Sequence, residues 1–308
     1  MIERTPILNA VTHVILLSGV VLAVLPLWLV FVASTLTLAE VNSVPMPMLP
    51  GGSLWNNVTE AWARAGLQGK LLNSLTMAIG VTIGKVVLAA LTAFAIVFFQ
   101  FRVRMIVFWG IFVTLMLPLE VRIVPTYAVA ANVLSPYQTL LNTVGIGDLW
   151  LWITGTELAL EWNLLNSYTG LVLPLVATAT GTFLYRQFFL TIPEELVESA
   201  KMDGAGPLRF LWDMLLPLSK TNMAALATIM FIYAWNQYLW PLLVTTDPTY
   251  ETAVTALQRL TPMSATTGGG TPDWNVAMAA ALLVMLPPLL LVIFMQRWFV
   301  RGLIAQDK

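Results

Sequence analysis

Six long apolar runs constrain this chain more than any other feature: residues 11–38, 71–99, 105–130, 167–189, 221–245 and 276–299. A helix rises about 1.5 Å per residue and the hydrocarbon core of a bilayer is about 30 Å thick, so runs of this length cross it as helices. Lipid offers the backbone no hydrogen-bond partners, and a helix satisfies its own amides and carbonyls internally. The expectation is an all-α, polytopic membrane protein with six transmembrane helices, forming one domain over residues 1–308. Composition agrees: hydrophobic residues make up 58% and charged residues 10%, against roughly 25% charged in a soluble domain. The first run exceeds the ~7–15 apolar residues of a signal peptide, which predicts a retained helix.

The residues needed for most chemistry are missing. There is no cysteine and a single histidine, His13, which argues against disulfides, thiolate metal sites, a cysteine nucleophile and multi-histidine metal centres. No catalytic residue, metal ligand or cofactor is expected in this chain. A net charge of −1 with no basic face argues against a nucleic-acid partner. Charge is nevertheless distributed unevenly. With a cytoplasmic amino terminus, one side collects Arg4, Arg102, Arg104, Arg186, Lys201, Arg209, Lys220, Arg297, Arg301 and Lys308, and the other only Arg64, Lys70 and Arg259. The positive-inside rule selects this orientation and places both termini in the cytoplasm.

One interruption between the fourth and fifth runs is unusually polar. "PEELVESAKMDGAGPLRFLWDMLLP", Pro193 to Pro217, carries Glu194, Glu195, Glu198, Lys201, Asp203, Arg209 and Asp213. Thr191 and Glu194 have the spacing of a capping box, predicting a helix start there. Gly204 suits a helix stop, and Pro207 opens a second helix with Leu208, Leu211, Trp212 and Leu215 at helical spacing. Two short amphipathic helices joined at glycine can enter a groove on another protein; an ordinary solvated loop is the plainer alternative. On the opposite side, residues 131–166 carry Trp150, Trp152 and Trp162 beside Asp148, Glu157 and Glu161, which suits an interfacial helix.

Glu198-Ser199-Ala200, then Gly204, then Met214-Leu215-Leu216-Pro217 resemble the EAA loop of permease subunits in bacterial ATP-binding-cassette importers. Ser199 and Met214 are mild departures from its Glu-Ala-Ala and Ile-x-Leu-Pro parts. "LPLEVRIVPTY", "FIYAWNQYLWPLL" and "MQRWFVRGL" extend the resemblance over most of the chain from the second run onward. It is closest to carbohydrate-importer permeases of the maltose type, and among these to the permeases of glycerol-3-phosphate importers. The resemblance implies the type I importer permease fold in the bacterial cytoplasmic (inner) membrane, with residues 191–217 as a cytoplasmic coupling hairpin. Glu198, Ala200, Gly204 and Pro217 would be its ATPase-coupling residues. Residues 134–162 look like an external insertion. The implied partners are a second permease subunit, an ATPase dimer that binds ATP and Mg, and a periplasmic or extracellular solute-binding protein, besides membrane lipid. The implied solute is glycerol-3-phosphate or a glycerophosphodiester. A neutral sugar or polyol importer of the same architecture is the nearest rival, and an ion-coupled secondary transporter is a rival of another class that leaves the hairpin unexplained.

Lys85, Glu120 and Arg122 fall in or near predicted spans, where charge is costly and often marks a pathway. They either present charge to a phosphate-bearing solute or pair internally. Asn236, Gln237, Tyr238 and Trp240 are expected in mid-helix, where amides beside rings can line a route for a hydroxylated solute or hydrogen-bond a partner helix. "GVTIGKV" fails the spacing of a phosphate loop. Gly80 and Gly84 there suit close helix packing instead.

Overall fold

The computed structural model describes residues 6–114, 117, 119–177, 179–260 and 273–304. Its regular elements are helical: α1 (Pro6–Thr35), α2 (Leu54–Ala65), α3 (Leu67–Phe98), α4 (Arg104–Val113), α5 (Leu119–Ala131), α6 (Ser135–Thr143), α7 (Ile146–Thr154), α8 (Tyr168–Val176), α9 (Ala179–Phe189) and α10 (Glu194–Met202). There follow α11 (Pro207–Leu218), α12 (Lys220–Trp235), α13 (Leu239–Val244), α14 (Ala253–Leu260) and α15 (Trp274–Ile304). Among the described residues, three segments are long and apolar enough to cross a membrane unbroken: Ile7–Thr35, Leu67–Phe98 and Trp274–Gln296. The other expected spans are interrupted. The run at residues 105–130 divides into α4 and α5, with Pro125 inside α5. The run at 167–189 divides at Ala177, which is extended.

The chain forms two compact units. The first comprises residues 1–71 and 255–287. Its core gathers Val32, Ala33, Leu36 and Val41, with Met46 and Met278 packed against them. Asn57 on α2 joins the end of α1 to the start of α15. Its amide donates to the carbonyls of Ser34 and Leu36 at 2.8 Å each, and its oxygen accepts from Asn275 at 2.8 Å. Arg64 pairs with Glu60 and, at 2.6 Å, with Asp273. An unpaired buried amide costs about 1–3 kcal/mol, so the Asn57 bridge fixes the exit of the chain from α1.

The second unit comprises residues 72–254 and 288–308. Here α3 packs closely on α8. A Cβ at Gly84 would sit 2.7 Å from both methyls of Val176, and one at Gly80 would sit 3.1 Å from Val172. Glycine at these two positions lets the backbones approach, as the spacing suggested. The core joins Ala89, Ala90, Ala93 and Phe94 of α3 to Tyr185 and Phe189 of α9 and to Leu226 and Met230 of α12. Ala200, Phe210, Leu211 and Leu215 from the polar hairpin belong to the same core. The tryptophan-bearing segment folds as two helices, α6 and α7, rather than one.

Candidate functional site

Two features of the second unit stand out: the hairpin of α10 and α11, and a cavity walled by α3, α5, α9 and α12. The hairpin starts two residues later than the capping pattern predicts. Pro193 is the N-cap residue and makes no side-chain cap, while the Thr191 hydroxyl donates back to Phe188 O at 2.7 Å. The preceding helix takes the hydroxyl that the capping box required. Glu194 and Glu195 in the first turn and Lys201 in the last instead complement the helix dipole. The stop is at Gly204, with φ of +71°. Gly204 N donates to Lys201 O at 3.0 Å and Ala205 N to Ala200 O at 2.9 Å, the paired bonds of a Schellman ending.

The next helix contains a π turn, Leu211–Leu215, in which Leu216 N donates to Leu211 O. Pro217, two residues beyond that turn, lacks the amide that would have bonded Asp213 O, and α11 meets α12 at a bend of 78°. The hairpin has two sides. Ala200, Phe210, Leu211 and Leu215 are buried, and Phe210 packs edge-on against Phe98 at 5.4 Å. Met202, Leu208 and Trp212 are exposed, and so is Glu198, which makes no described hydrogen bond or ion pair. Arg209 and Asp213 pair at 3.3 Å along the same helix.

The cavity has a volume of about 900 Å³, and Lys85, Arg122, Asn236, Gln237 and Tyr238 line it together with Tyr233. Lys85 is 5% exposed, with Nζ 4.6 Å from the centre of the Tyr233 ring. Arg122 Nε is buried and has no hydrogen-bond partner among the described residues. The backbone of Glu120 belongs to α5, but its side chain lies outside the described residues. Asn236 and Gln237 are not in mid-helix as expected. Asn236 caps the end of α12, and the chain is unwound until α13 begins at Leu239. Gln237 Nε2 donates to Tyr233 O at 3.3 Å. Non-helical backbone at membrane depth is tolerated where it faces a cavity, which is where this break lies.

Trp240 does not join the cavity. It is 0% exposed, and its indole donates to Gly170 O at 3.1 Å, so it serves the packing of α13 on α8. Sequence reasoning grouped it with Asn236 by proximity alone. It missed Tyr233 as the ring over Lys85, and it missed Thr92 and Thr180, which also line the cavity. Met230 belongs both to the cavity wall and to the core that holds the hairpin. Among the described residues, no three His, Asp or Glu side chains are grouped to hold a metal ion.

A helical membrane chain with a polar hairpin rooted in its helix core, and a cavity at a helix break, has the makings of a transport subunit. Residues 85–305 match the family of inner membrane components of binding-protein-dependent transport systems, and the chain belongs to that family. The sn-glycerol-3-phosphate transport system permease protein UgpE of Yersinia pestis is 46% identical over 315 residues, spanning 100% of both chains. The protein of the same name from Rhizobium meliloti (strain 1021) is also 46% identical over 315 residues, and that of Escherichia coli O1:K1 / APEC 45% over 314, each at full coverage. A chain from the crystal structure of a bacterial ABC transporter involved in the import of the acidic polysaccharide alginate aligns with a TM-score of 0.72 at 17% identity, over 97% of this chain and 99% of that one. The family and the all-α permease fold expected from the motifs are those found.

Proposed function

We propose that this chain, as a single permease domain, forms half of the translocation pathway of an ATP-driven importer for glycerol-3-phosphate or related glycerophosphodiesters. The observation that carries the reading is the two-sided hairpin. Its buried side is continuous with α3, α9 and α12, while its exposed side offers Glu198 and an apolar patch to a partner. A push on the exposed side moves three helices at once, because packed interiors transmit displacement rather than absorb it. The partner is a cytoplasmic ATPase dimer, which binds ATP and Mg. A second permease subunit completes the pathway, and a periplasmic or extracellular binding protein delivers the solute. In this arrangement both termini and the hairpin are cytoplasmic. Ala200 and Gly204 hold the hairpin's turn, Pro217 sets the bend into α12, and Glu198 meets a basic group of the ATPase. The solute class follows from relatives 46% identical across the whole chain, which are permeases of sn-glycerol-3-phosphate transport systems.

The test is ATPase activity of the reconstituted complex with its binding protein, adding glycerol-3-phosphate or maltose separately, for wild type, Glu198→Ala and Gly204→Asp. The expected result is stimulation by glycerol-3-phosphate alone and its loss in both variants at normal membrane levels. Stimulation only by maltose would replace the solute with a neutral sugar. Unchanged stimulation in both variants would remove the hairpin from the mechanism.

A further inference from the structure

The cavity lies beside a lysine that has neither a carboxylate nor a hydrogen-bond acceptor among the described residues. Resting on the importer reading, we infer that this cavity is an anion site selective for phosphate monoesters, with Lys85 and Arg122 as its cationic pair. A buried ammonium in a membrane protein is costly unless something compensates it. The Tyr233 ring 4.6 Å away supplies part of that compensation through its negative face. Arg122 Nε, from a residue lining the same cavity, is buried without a hydrogen-bond partner among the described residues. Two cations facing one cavity repel each other, and an anion between them relieves both the repulsion and the desolvation.

Chemistry narrows the anion. Guanidinium presents a planar fork that fits phosphate oxygens, while lysine contributes a compact charge. A phosphate monoester carries about −1.5 to −2 charge at neutral pH, matching two cations. A diester carries one negative charge and a sugar none. The amides of Asn236 and Gln237 and the hydroxyls of Thr92 and Thr180 on the same walls can bond the hydroxyl groups of a short polyol. In this division of labour the binding protein sets the concentration at which uptake half-saturates. The cation pair sets how fast a dianion crosses.

The experiment uses the full complex in proteoliposomes and compares uptake of glycerol-3-phosphate with that of glycerophosphoglycerol, a diester. Lys85→Met and Arg122→Gln are each expected to slow maximal monoester uptake roughly tenfold or more, the scale for removing one member of a buried charged contact. Half-saturation should not move, diester uptake should fall much less, and Arg122→Lys should recover most of the monoester rate. Equal slowing of both esters, or none, would overturn the anion site. So would a Glu120→Gln variant that reproduces the Arg122→Gln loss together with a double variant that restores the rate, because the cations would then be serving an internal pair. A wild-type complex that imports neither ester would overturn the importer reading and this site with it. A wild type that imports both, with unaffected variants, would overturn the site alone.

Discussion

Gly204 and Gly84 are both glycine for reasons that differ physically. At Gly204 nothing lies within 4 Å of an added Cβ, but φ of +71° is the left-handed region, which costs other residues about 1–2 kcal/mol. At Gly84 the backbone is ordinary helix and the obstacle is Val176 at 2.7 Å. Gly84→Val should therefore lower the unfolding midpoint of the detergent-solubilised complex, by overpacking worth about 1–3 kcal/mol. Gly110→Val, where nothing lies within 4 Å, should leave it nearly unchanged; equal midpoints in the two variants would mean that α3 and α8 do not touch at Gly84. At this scale local rules made much legible. Gly204 and Pro217 were readable because a left-handed ending and a missing amide are properties of the residue itself. Trp240 was not, since its hydrogen bond to Gly170 spans 70 positions and no local pattern announces it. The Thr191 hydroxyl could accept from a first-turn amide or donate back to Phe188 O, two options of equal local merit, and the preceding helix won.

Elements were legible by hydropathy and illegible at their breaks. Hydropathy averages over a window and is blind to where a proline or an unsatisfied amide divides a run, so two expected spans are pairs of shorter helices and a third ends early at Asn236. The bend between α11 and α12 is the break with the clearest cause. Pro217→Ala restores the missing amide, so the 78° bend should relax toward a straighter helix. The chain has no native cysteine, so spin labels at Arg209→Cys and Ile229→Cys can read this cleanly. A longer inter-label distance in the Pro217→Ala background is expected; an identical distribution would place the cause of the bend elsewhere.

At the scale of the whole molecule, family membership rested on the spacing of a few hairpin residues, and the cavity was not readable in full. Lys85, Arg122 and Asn236 come from separate helices, and only packing brings them together with Tyr233. The central claim is that the exposed side of the hairpin is the seat of the ATPase. Met202 is 82% exposed on that side and carries no assigned role in folding. The direct measurement places a benzophenone amino acid at Met202 in the assembled complex and at Trp152 as a control on α7, irradiates both, and identifies the products by mass spectrometry. A product with the ATPase subunit from position 202 and none from position 152 is the predicted result. An intact complex that yields no ATPase product from position 202 would contradict the account.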